Sequence, residues 1–184
     1  NHKLIVLDSD KNELKFNKDA DKKFIMRGTE IPLKENSADL IVSRYTLEHL
    51  NNPEIFIKNS FEILKTGGYC IHLFSCKYAP FSIINQLLPN KLSQFLLNKL
   101  VSNSKHIRGY KTYYNQCYYS KIVDVFKKSG FKITDISLSY YQSRYFSFFL
   151  PFYLLSIFYE FIIYSLKLKN LSVYILIIVK KNTL

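Results

Sequence analysis

Apolar residues fall along this chain in short runs, some alternating and some at helical spacing, with turn-forming residues between them. The clearest run is Leu40, Ile41 and Val42, entered through Ala38 and Asp39 and closing on Ser43, Arg44 and Tyr45. That is the form of a buried parallel strand with a functional loop at its carboxyl end. Ligands of an open α/β sheet sit outside such ends, so chemistry is expected at residues 43–49. Residues 3–7, 23–27, 69–74, 131–141 and 173–179 read as further strands.

Helical spacing fills several of the gaps. Asn52 reads as an N-cap with Pro53 at the first helical position and Glu54 near the positive helix end. Ile57, Phe61 and Leu64 then recur on one face, and Gly67-Gly68 is expected to end the helix. Ser120 is expected to cap a second helix running to Lys128 and stopped by Gly130. Residues 80–101 hold two amphipathic segments split by Pro89, with Asn90 as the cap of the second. Residues 12–22 are polar and read as a short helix or irregular connection, 32–38 as a turn-rich loop, and 106–119 as a polar, aromatic loop.

The stretch 145–166 stands apart, being nearly all apolar or aromatic, with Glu160 its only charge and Arg144 and Lys167 at its flanks. It has the length of a membrane span, but Pro151 and Glu160 lie inside it. Three readings stay open: an interfacial segment with lysines on lipid phosphate, a buried or partner-covered helix, and a span.

Composition narrows the class. The 184 residues suffice for one domain with a real core, and 48% hydrophobic against 22% charged residues excludes a disordered chain. Fifteen Tyr and fifteen Phe without Trp, beside abundant Lys, Asn and Ile, read as coding bias before any aromatic binding surface. The formal net charge of +12 is large, but the lysines are scattered, so a solvated surface is the default and nucleic acid is a disfavoured partner without a recognisable binding motif. Cys70, Cys76 and Cys117 lack C-x-x-C spacing, so neither a disulfide framework nor a metal site is indicated. A cytoplasmic location fits best, with peripheral attachment at the inner membrane face as the alternative that 145–166 opens.

LIVLD at 4–8, IPLKENSADL at 31–40, the Leu47-Glu48-His49 triplet, Pro53 and ILKTGG at 63–68 follow one another in an order and spacing that resembles class I S-adenosylmethionine-dependent methyltransferases of the broad small-molecule group called type 11 or type 12. The resemblance implies an α/β, Rossmann-like sheet with helices on both faces and an antiparallel last strand, and S-adenosylmethionine as cofactor. It also implies a single methyltransferase-like domain over 1–184, with 80–119 as a substrate-covering insertion and 142–170 as the hydrophobic connection between the last two strands. One departure is large. The family has a glycine-rich loop after its first strand, whereas Gly28, Gly67, Gly68, Gly109 and Gly130 form no G-x-G. Beginning at Asn1, the chain reads as an amino-terminally truncated domain whose first strand would lie centrally, between residues 4–7 and 40–42. Its neighbours would lose ladder partners, so weak cofactor binding is expected.

Residue roles follow from the same resemblance. Asp8, with Ser9 beside it, would accept hydrogen bonds from the cofactor ribose, a diol's two donors matching a carboxylate's two oxygens. Where the family commonly places an acidic residue toward the adenine amino group, this chain has Arg27 and Gly28. Arginine only donates, so adenine recognition would fall to backbone groups of Thr29 and Glu30 and to packing by Ile31. Ser43, Arg44 and Tyr45 would meet the methionine part of the cofactor or the substrate. His49 is the first candidate for a general base and His106 the second, while His72 reads as a core residue. The implied function is methyl transfer to a small-molecule, lipid-linked or glycan-type acceptor; the alternative is a non-catalytic membrane or protein docking module on the same fold.

Overall fold

The structure, a computed structural model, describes residues 3–88 and 110–182. Its elements run β1 (Ile5–Asp8), α1 (Lys11–Phe16), β2 (Lys22–Ile25), β3 (Ala38–Arg44), α2 (Pro53–Ile63), β4 (Leu64–Ser75), α3 (Pro80–Leu87), α4 (Tyr119–Lys128), β5 (Phe131–Ser139), α5 (Leu150–Ser165) and β6 (Tyr174–Lys181). The expected second segment of 80–101 and His106 fall outside the described residues.

The strands form two sheets. β1 pairs with β2 in parallel, and β3-β4-β6-β5 make a second sheet in that order, with β3 and β4 parallel and β6 antiparallel to both its neighbours. The antiparallel last strand is thus as expected. Among the described residues, neither β1 nor β3 has a ladder partner on its remaining edge.

Alternation along the second sheet decides its two faces. Cys70, His72 and Phe74 on β4 and Ile175, Ile177 and Val179 on β6 are fully buried, and they join Phe56 and Ile57 of α2 and Ile122, Val125 and Phe126 of α4 in one core. Burial of these side chains is the main favourable term in folding. The opposite face of β3 is open: Leu40 and Val42 are 55% and 63% exposed.

Local departures from the expected boundaries have identifiable causes. α2 starts as expected, with Asn52 Oδ1 accepting from the Ile55 N–H at 3.4 Å and Pro53 in the first turn. It stops at Ile63, ahead of the glycine pair, because the Asn36 and Ser37 N–H groups donate to the Glu62 and Ile63 carbonyls at 3.0 and 2.8 Å and draw the chain into the sheet. Gly68 instead sits in the sheet, where a Cβ would lie 2.9 Å from the Asp39 carbonyl oxygen and 2.8 Å from Leu64 Cγ. Ser120 is not the cap of α4. Tyr118 precedes the helix without a side-chain cap, and the Ser120 N–H donates to Asn170 Oδ1 at 2.8 Å, a cap supplied from far along the chain.

Candidate functional site

β3 and β4 are parallel neighbours that end on one side of their sheet, as β1 and β2 do in theirs, the arrangement of a ligand-binding edge. Asp8 ends β1, with Oδ1 accepting the Asp10 N–H at 2.8 Å in an Asx-type turn. Its Oδ2 has no hydrogen-bond partner among the described residues, so one carboxylate oxygen stays open to a hydroxyl donor. Ser9 beside it is exposed.

The segment after β2, expected to face adenine, is organised by its backbone. Met26 N–H donates to the Asp8 carbonyl at 2.9 Å, and Gly28, at φ 61°, turns the chain so that Glu30 N–H reaches the Arg27 carbonyl at 3.1 Å. Only a residue tolerant of left-handed backbone suits that turn. The Thr29 carbonyl is held by Asn59 Nδ2 at 2.9 Å, and Ile31 packs on the main core. Arg27 and Glu30 are both exposed.

At the end of β3, Ser43 Oγ and His72 Nδ1 lie 2.7 Å apart. His72 is wholly buried between Phe56 and Phe126, and burial holds its pKa down to about 4, so it is a neutral core imidazole. Tyr45 has φ 53°, an uncommon backbone for a bulky residue, fixed by its N–H donating to Leu73 O at 2.7 Å. Arg44 places its guanidinium 5.0 Å from the Tyr45 ring centroid.

The next turn, Leu47–His49, holds a feature that sequence reasoning passed over. Glu48 is 2% exposed, and its Oε1 accepts from both the N–H (3.1 Å) and the hydroxyl (2.8 Å) of Ser75 at the end of β4. Its carbonyl accepts the Tyr113 and Tyr114 N–H groups at 2.8 and 3.0 Å. Glu48 therefore ties β3, β4 and the 110–119 loop together. A charged residue between a leucine and a histidine in an LEHL string gives no hint of this; a buried carboxylate is legible only once its partners are.

His49 is oriented by the same loop. Its Nδ1 lies 2.9 Å from the Lys111 carbonyl, which only accepts, so Nδ1 carries the hydrogen and the Nε2 lone pair is the basic one in the neutral ring. Tyr110 stacks edge-on against His49 at 6.0 Å and its hydroxyl donates to Asp10 Oδ2 at 3.3 Å. Asp8, Asp10, Tyr110 and His49 thus border a common space. Beyond Tyr45 an aromatic series continues: Tyr174 at 6.0 Å, Phe81 at 6.0 Å from Tyr174, and Tyr145 stacked on Phe81 at 4.8 Å. The Tyr145 and Tyr174 hydroxyls are 2.6 Å apart, and desolvation raises the pKa of both, so they stay protonated at neutral pH. The three thiols are buried; desolvation pushes Cys70 and Cys76 up to about 12 and also raises Cys117, so none is a ready nucleophile.

Solved structures share this architecture. A [4+2]-cyclase, SpnF, matches with TM-score 0.59 and 13% identity over 98% of this chain and 67% of its own. A SAM-dependent methyltransferase from Thermotoga maritima matches with TM-score 0.57 and 16% identity over 97% and 73%, and an S-adenosylmethionine-dependent methyltransferase from Mesorhizobium loti with TM-score 0.57 and 13% identity over 97% and 80%. No curated protein matches the chain by sequence. The fold is that of the class I S-adenosylmethionine-dependent methyltransferases. Residues 1–72 match the model of the methyltransferase domain family, and that match beside the shared fold supports S-adenosylmethionine-dependent methyl transfer, with S-adenosylmethionine the cofactor implied.

The described residues fit part of that cofactor. Asp8 offers one open carboxylate oxygen where two ribose hydroxyls would donate, and the turn at Gly28–Ile31 presents backbone beside it. When bound, the cofactor supplies an activated sulfonium methyl group. The chain's own residues would orient the partners and exclude water.

Proposed function

We propose that this methyltransferase acts on a lipid-linked acceptor while α5 rests on a membrane surface. The observation that carries the proposal is the disposition of Glu160. The only charge within α5 turns inward, Oε1 accepting the Gln142 N–H at 2.7 Å and also the Ser143 N–H. The outer side of the helix is left without a charge. Leu154, Phe158 and Phe161 there are 56%, 63% and 67% exposed, an apolar patch that water does not favour. Arg144, Lys167 and Lys169 flank it, suited to anionic headgroups, and the chain carries +12 overall. No helix among the described residues is long and apolar enough to cross a membrane.

Asp8 and the Thr29–Ile31 backbone hold the nucleoside, with Ser9 at its margin; Ser43, Arg44 and Tyr45 line the methionine side. His49 Nε2 takes the proton from an acceptor hydroxyl or amine as the methyl moves. SpnF shows that a cyclase also uses this architecture, so the reaction rests on the site and not on the fold. The test is incubation with methyl-labelled S-adenosylmethionine and vesicles of bacterial polar lipid with and without anionic lipid. Label in the lipid phase, and flotation of the protein with anionic vesicles, are expected. Label confined to water-soluble products, or a protein that sediments away from both vesicle types, overturns the proposal.

A further inference from the structure

An open-mouthed cavity of about 340 Å³ lies between α3, the turn Ser143–Phe146 and α5. Its apolar wall comes from Pro80, Ile84, Phe146, Phe152, Leu155 and Tyr159, and none of the lining side chains is charged. The volume falls at the lower end of the roughly 300–1,000 Å³ range of small-molecule pockets. Two polar side chains interrupt the wall, Gln142 at 1% and Ser156 at 7% exposure. Gln142 Nε2 and Ser156 Oγ have no hydrogen-bond partner among the described residues. Buried polar groups are normally satisfied, so two orphans on one cavity point to a missing counterpart.

Which counterpart is fixed by the donors. Gln142 Oε1 accepts the Phe81 N–H at 3.4 Å, and its backbone N–H is held by Glu160, so the amide is oriented with Nε2 as a free donor. That donor calls for an acceptor oxygen, and Ser156 Oγ can serve the same atom or its neighbour. A charged ligand atom would be stranded in this wall, because desolvating an unpaired charge is far more costly than desolvating a neutral group. The cavity also adjoins the candidate site: Phe81, next to Pro80, touches Tyr145 and Tyr174, and Tyr174 touches Tyr45 at the end of β3.

We infer that this cavity binds the alkyl segment of a neutral amphiphile, with a carbonyl or hydroxyl oxygen of the ligand on Gln142 Nε2 and Ser156 Oγ. The inference rests on the lipid-linked acceptor proposed above and specifies the part of it that enters the protein.

Octanamide, a soluble neutral probe with a single carbonyl, tests this by calorimetric titration beside octylammonium, its cationic counterpart. Octanamide is expected to bind the wild-type protein, octylammonium to bind much more weakly, and monooctanoylglycerol, a lipid-derived source of the same chemistry, to compete with octanamide. Ile84→Trp fills the cavity from a position 44% exposed and should abolish binding. Gln142→Met keeps the side-chain length and removes the donor, and should weaken octanamide about tenfold, one hydrogen bond's worth. Phe158→Lys, on the outer side of α5, should reduce vesicle flotation and leave the octanamide affinity unchanged. Equal binding of both probes, unchanged affinity in a folded Ile84→Trp protein, or absence of competition overturns the inference. Failure of the wild-type protein to float with anionic vesicles while it still binds octanamide counts against membrane attachment alone.

Discussion

Glu160 Oε1 accepts the backbone N–H of Gln142 at 2.7 Å across eighteen residues of chain, and so joins the middle of α5 to the turn that follows β5. The bond converts an apparent defect in an apolar helix into its anchor. Ser143 N–H shares the same oxygen. Replacing Glu160 by Ala leaves two donors without an acceptor in a part-buried place and should destabilise the protein by about 1–3 kcal/mol, while Glu160→Gln, which keeps an oxygen, should lose less. Urea unfolding of the two variants separates them; equal losses would refute the role.

His72 makes stability depend on pH. Its folded pKa is about 4 and an unfolded histidine titrates near its ordinary 6.5, so between those values the unfolded chain binds the extra proton. The stability associated with neutral His72 is fully present above pH ~6.5 and falls as pH drops toward 4, by up to about 3 kcal/mol over the window. His72→Phe should flatten that part of the profile. Denaturant midpoints at pH 7 and pH 4.5 in both proteins decide it, with an unaltered slope in the variant as the contrary result.

Gly68 is fixed by closeness. An added Cβ would meet the Asp39 carbonyl at 2.9 Å, the Lys65 carbonyl at 3.0 Å and Leu64 Cγ at 2.8 Å, and the two carbonyls belong to backbone in the sheet. Gly68→Ala should therefore cost roughly 1–3 kcal/mol by forcing β3 and β4 to shift. Thermal unfolding measures this, and a variant as stable as the parent would show that the strands can part freely.

His49 is held with Nε2 as its basic nitrogen, so His49→Gln should lower the methyl-transfer rate by about 10²–10⁴-fold with little change in the Michaelis constants, if the acceptor enters protonated. Steady-state rates across pH 6–9 provide the readout. Retention of the full rate would remove His49 as the base and leave it a positioning residue for the 110–119 loop.

Much of the frame was legible because it is written in local pattern. The short strand at Leu40–Val42, the Asn52-Pro53 helix start and the alternating run into β6 each follow from neighbours within a few residues. The misreadings arose where distant chain intervened. Gly67-Gly68 looks like a helix stop, yet the end of α2 is set by Asn36 and Ser37 from another segment. Ser120 looks like a cap, yet Asn170 does that work. The site shows the same division. Asp8 ends β1 and His49 lies in the turn after β3, positions that the local pattern gives, but the burial of Glu48, the inward turn of Glu160 and the unpartnered Gln142 amide depend on tertiary partners that no sequence window contains.

Among the described residues the two sheets touch through side chains and loops, Asn59 on the Thr29 carbonyl and Met26 and Ile31 on the main core, with no ladder between β1 and β3. A molecule gripping Asp8 on one sheet and Tyr45 on the other would clasp them, so its occupancy should register as a rise in melting temperature before any product is made. Thermal shift is then a sensitive assay for small molecules that fit this protein, productive or not.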